Sequence, residues 1–162
     1  MSVPWEAELV DLLSSLSAVQ GELLELLDEK RELLISSDTE GLQALAGREE
    51  ELIGRLETCH QRRQKLLQEA DREGRPAHNI RSLTASLPRP VRRRLRQPIT
   101  EARTQSSLLH HQSLANWVIV QRTLIHLSQM LEIIATGGRP EPTYQKDMRA
   151  SHSSGALVDR AV

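Results

Sequence analysis

Phenylalanine is absent from this 162-residue chain, and Trp5, Trp117 and Tyr144 are its only aromatic residues. Sheet cores draw heavily on aromatic and β-branched bulk, so the shortage argues against a β sandwich. Cysteine is also scarce. Cys59 alone excludes an intrachain disulfide framework and fits a reducing compartment. The opening MSVPWEAELV lacks a basic stretch followed by an apolar run, so no secretory signal is expected. No glycine-rich phosphate loop occurs. The histidines at 60, 78, 110, 111, 126 and 152 include no pair four residues apart with an acid placed as third ligand. Catalytic, cofactor and metal sites are therefore not expected. Cys59 reads as a small buried thiol.

What the chain has is leucine, with Ala, Glu, Gln and Arg, all good helix formers. The reading is all-α: an antiparallel bundle of three long helices, with a basic connector and a disordered C-terminal tail. Helix 1 should span about 4–35. Three heptad rows share one face there: Leu9, Leu16, Leu23, Lys30; Leu12, Val19, Leu26, Leu33; and Leu13, Gln20, Leu27, Leu34. Ser37-Asp38-Thr39-Glu40 has the pattern of a capping box with Ser37 as N-cap. Helix 2 then runs over 38–73, with a seam of Leu42, Leu45, Glu49, Leu52, Leu56, Cys59, Arg63, Leu66 and Ala70, widened by Ile53 and Leu67. The short connection makes helices 1 and 2 an antiparallel hairpin. Gly74 and Pro76 stop helix 2.

A short helix over Ile80–Leu87, capped by Asn79, fits the connector. Pro90 can open the third long helix, about 90–136, and Pro98 should kink or split it. Its seam reads Leu95, Ile99, Ala102, Ser106, Leu109, Ser113, Asn116, Val120, Thr123, Leu127, Met130, Ile134. After Leu114 a second apolar set lies off that seam, so the helix should be covered on more than one side. Part of this double face is a candidate surface for an amphipathic helix of a partner. The same stretch carries Asn116, Gln121, Arg122, His126, Gln129 and Glu132, which argues against stable membrane insertion. Gly137-Gly138 ends the helix. The bundle domain is thus 1–138, and 139–162 is a flexible tail.

Charge is segregated. Residues 1–57 hold fourteen acids against four bases, or −10, whereas 74–100 hold seven arginines and no acid, or +7. Arg89, Arg92, Arg93, Arg94 and Arg96 oppose the helix dipole at the start of the third helix, so local stability does not account for them. Pairing with acids of helices 1 and 2 is expected, or recruitment of an acidic partner. Nucleic acid is a weaker reading, because no aromatic residues interleave for stacking.

Taken in order, LLDEKRELLISSDTEGLQALAGREEELIGRL (26–56), LPRPVRRRL (87–95), Asn116 before LIHLSQMLEII (124–134), and Thr143-Tyr144 resemble the FlgN family, the cytoplasmic export chaperones of bacterial flagella. The resemblance implies that the chain binds the hook–filament junction proteins FlgK and FlgL. It implies that they are held through Leu114, Trp117, Val118, Val120, Leu124, Ile125, Leu127, Leu131 and Ile134. It also implies that Tyr144 docks the loaded chaperone on the FlhA cytoplasmic domain of the export gate. Met148 stands where the family often has a glycine four residues after that tyrosine. A self-associating coiled-coil scaffold is the alternative reading of the same apolar excess.

Overall fold

The computed structural model describes residues 4–138, with side-chain burial from Glu6 onward. Four helices follow one another: α1 (Pro4–Ser36), α2 (Thr39–Arg72), α3 (Ile80–Ala85) and α4 (Arg89–Thr136). There is no strand among the described residues. The chain forms two units, 1–125 and 126–162. The tail 139–162, with Tyr144 and Met148, lies outside the described residues.

α1 and α2 form the antiparallel hairpin that their short connection requires. The heptad rows meet in two clusters. Val19, Leu23 and Leu26 of α1 pack with Leu45 and Leu52 of α2 near the turn. Leu9, Leu12 and Leu13 pack with Cys59, Leu66 and Ala70, and with Leu83, Leu87, Leu95 and Ala102 from the connector and α4. The buried residues of α2 recur every seven positions from Leu45 to Leu66, as a single seam demands. Ile53 does not widen it; that side chain is exposed.

Outside the core, ion pairs set the hairpin's register. Lys30 pairs with Glu49 at 2.7 Å, Arg55 with Glu22 at 2.8 Å, and Arg62 with both Glu8 (2.8 Å) and Asp11 (2.6 Å). Surface pairs of this kind add little to stability, because water and salt screen them. Their value is in excluding a slipped pairing.

The hairpin turn differs from the capping box expected at Ser37. Asp38 is the N-cap of α2, its carboxylate accepting from the Gly41 amide at 2.9 Å. Ser37 instead closes α1 in the left-handed region, φ +56. Its amide donates to the Leu34 carbonyl, and the Asp38 amide donates to the Leu33 carbonyl at 3.0 Å. Those two bonds satisfy the last carbonyls of α1, so one residue ends a helix and the next begins another. Gly41 leaves room for both side chains. A Cβ there would stand 2.7 Å from both the Leu33 side chain and the Asp38 carboxylate.

Gly74, φ +72, ends α2 by the same left-handed geometry. α3 is shorter than expected but begins as expected. Asn79 Oδ1 accepts from the Ser82 amide at 2.7 Å, and the Ser82 hydroxyl accepts from the Asn79 amide at 3.1 Å. Leu83 and Leu87 then anchor the connector in the core. Pro98 does not split α4, which is one helix from Arg89 to Thr136. A proline in a helix interior costs about 3 kcal/mol. Leu95 and Ala102, buried one turn to either side, and Ile99, packed on the same cluster, offset that cost.

Candidate functional site

α4 changes character along its length. Leu95, Ala102 and Asn116 are buried, all on one helical row. This row lies against α1, and the two helices run parallel. Gln20 Nε2 donates to the Ala102 carbonyl at 3.2 Å, and Asn116 Nδ2 donates to the Leu27 carbonyl at 2.9 Å. Arg31 Nε donates to Asn116 Oδ1 at 3.4 Å. Asn116 is 4% exposed, so both ends of its amide are satisfied inside the fold.

Beyond that point cover is lost. Ile119, Val120 and Gln121 are half-buried, and every residue from Arg122 to Gly138 is exposed. α1 ends at Ser36, nine residues past Leu27, and nine residues past Asn116 is Ile125, the last residue of the first unit. The expected seam therefore stops early. Thr123, Leu127, Met130 and Ile134 are not core residues. The doubly apolar stretch, expected to be covered on more than one side, is uncovered from Arg122 onward.

Of the nine residues that the resemblance pointed to, eight are exposed. In the first unit these are Leu114, Trp117 (57%), Val118, Leu124 and Ile125. In the second they are Leu127, Leu131 and Ile134 (72%). Val120 alone is half-buried. Met130 and Ile133 belong with the exposed group, although neither was singled out. Both sit inside the same apolar run, and their seam and off-seam positions gave no reason to separate them. Burying one such side chain gains about 1.5–3 kcal/mol, so a partner covering several in either unit would draw on a large hydrophobic driving force. Part of that gain is lost to ordering on association.

The other candidate features resolve more simply. Cys59 is a buried thiol within the core. The His110 and His111 rings lie edge to face, 6.3 Å apart. No cluster of three metal-ligating side chains occurs among the described residues. Among the described residues Arg75 pairs with Glu73 at the end of α2, but the expected pairing of the arginines at the start of α4 with hairpin acids is not found. Arg89, Arg92, Arg93, Arg94 and Arg96 make no ion pair among the described residues. Arg48, Arg55, Arg62 and Lys30 already engage acids across the hairpin.

By length and composition α4 contains a stretch apolar enough to cross a membrane. The core helix of a soluble protein passes the same test. Arg122, His126 and Glu132 lie within the exposed region and would each be costly in hydrocarbon.

Comparison with curated proteins and with solved structures returned no match. The family described as FlgN protein matches residues 1–152, nearly the whole chain. An all-α hairpin and a third long helix are the architecture on which that match falls, and the chain belongs to the FlgN family of flagellar export chaperones.

Proposed function

We propose that this chaperone captures the C-terminal helical regions of the hook–filament junction proteins FlgK and FlgL on the distal part of α4. It then delivers them to the FlhA cytoplasmic domain of the export gate. One observation carries the reading: the exposed apolar side chains Leu114, Trp117, Val118, Leu124 and Ile125, on a helix whose first half is built into the core. A cargo helix laid along this row would bury apolar anchors spaced three and four residues apart on both partners. The cargo would be held from premature assembly and released by exchange, with no covalent step and no cofactor. The action is cytoplasmic, on a protein partner, without nucleic acid and without membrane insertion. Tyr144, outside the described residues, is the proposed contact with the gate.

Calorimetric titration with C-terminal fragments of the two junction proteins tests this. Saturable one-to-one binding with a negative heat-capacity change is expected, the mark of apolar burial. No binding by a folded sample, together with a stable oligomer of the free protein, would move the apolar row to self-association and a scaffold role.

A further inference from the structure

We propose that the cleft between α1, α2, α3 and α4 is a second docking site, and that its occupant is an acidic amphipathic peptide segment of a partner protein. The cleft has a volume of about 800 Å³. Its apolar floor is made by Leu13, Leu16, Ile80, Ile99 and Ala102. Its rim carries His60, Arg63, Arg81, Arg103 and His110, and no carboxylate lines it. All five rim side chains are exposed. The three arginines make no ion pair or side-chain hydrogen bond among the described residues. Arg96 lies seven residues before Arg103 and extends the same face of α4.

A second observation lies inside the cleft. Gln20 is 4% exposed and lines the cavity. Its Nε2 donates to the Ala102 carbonyl, but its Oε1 has no hydrogen-bond partner among the described residues. A buried amide oxygen left without a donor is satisfied by a peptide N–H that reaches it. The three features select one chemistry. An apolar floor takes apolar side chains, a basic rim takes carboxylates, and the Gln20 oxygen takes a donor. Nucleic acid fits less well, since no tryptophan, tyrosine or phenylalanine lines the cleft for stacking. The charge of Arg81, Arg89, Arg92, Arg93, Arg94 and Arg96, none of them in an ion pair among the described residues, is then a steering field for the acidic segment.

The α4 side of the cleft, Ile99 to His110, is about 16 Å long, which matches roughly three helical turns. The test uses the full chain and a fluorescein-labelled helical peptide of that length, with leucines on one face and glutamates on the other. Saturable binding at low salt is expected, weakening as salt rises. Arg81→Glu with Arg103→Glu should weaken it by about tenfold or more, since two charge-assisted contacts are reversed. Trp117→Asp should leave it unchanged, which separates this site from the cargo-binding row. Equal binding of the peptide with lysines for glutamates would overturn the proposal. So would no binding by a folded sample, binding lost in Trp117→Asp, or a single-stranded oligonucleotide that binds while the acidic peptide does not.

Discussion

Asn116 Nδ2 donates to the backbone carbonyl of Leu27 at 2.9 Å, joining α4 to α1 at the last fully covered position of α4. The next residue, Trp117, is 57% exposed. One peptide bond thus separates the bundle's interior from its apolar surface. Asn116→Ala removes a buried hydrogen bond and leaves the Arg31 contact without its acceptor. A loss of about 1–3 kcal/mol is expected in urea unfolding. A change near zero would show that this hydrogen bond adds nothing to the hold of α1 on α4.

Trp117→Asp combined with Leu124→Asp should abolish binding of the junction-protein fragments. Both side chains are exposed, so the unfolding free energy should stay within about 0.5 kcal/mol for each substitution. Unchanged affinity in this folded variant would remove the row as the cargo site.

Deleting 139–162 should preserve fragment affinity and impair secretion of the junction proteins from cells. Titration and a secretion assay on the same truncation check the two halves of that statement. Lost affinity would mean that capture and delivery are not divided between α4 and the tail.

The hairpin turn makes a local prediction. Asp38→Ala removes the N-cap of α2 and should cost about 1 kcal/mol. Gly41→Ala is normally favourable inside a helix, yet here it should destabilise. Its Cβ would meet the Leu33 side chain and the Asp38 carboxylate at 2.7 Å. Thermal unfolding of the two variants and their double mutant should show non-additivity, because both act on the same carboxylate.

Glu22 contributes to the acid response of the hairpin. The hydrogen bond from the Arg55 guanidinium holds its carboxyl below the usual range, and the same contact pushes Arg55 up. The folded-state value of Glu22 is the lower one. Its contribution is therefore present at neutral pH and is lost as pH falls through that depressed value. Glu22→Gln should flatten the acid limb of a Tm-against-pH curve, and added salt should shrink the difference between variant and parent. Parallel curves would show that the pair sets register without affecting stability.

The all-α class was legible from heptad leucines and scarce aromatics. Helix ends were legible wherever a residue type has one strong local preference. Asn79 starts α3, Gly74 ends α2, and Gly137-Gly138 end α4. Ser37 and Asp38 were not separable that way. Either can cap a helix, and only the need to close α1 first made Ser37 its left-handed terminus and Asp38 the cap of α2. The candidate site was legible as an apolar excess over 114–134. What the pattern could not show was where its cover stops. That depends on how far α1 extends beside α4, which is a matter of register between helices nearly ninety residues apart in sequence.

Sequence by itself determined the number of helices, their apolar faces and the segregation of charge, because these rest on local propensity and on periods of three to four residues. Tertiary structure alone decided which apolar residues became core and which became surface. It also decided which arginines found acids. Lys30, Arg55 and Arg62 lie opposite carboxylates once the hairpin closes, whereas Arg81 and Arg103 do not. The physical reason is the same in both cases. Burial and pairing depend on what stands across a gap of a few ångströms, and only the closed bundle sets those distances.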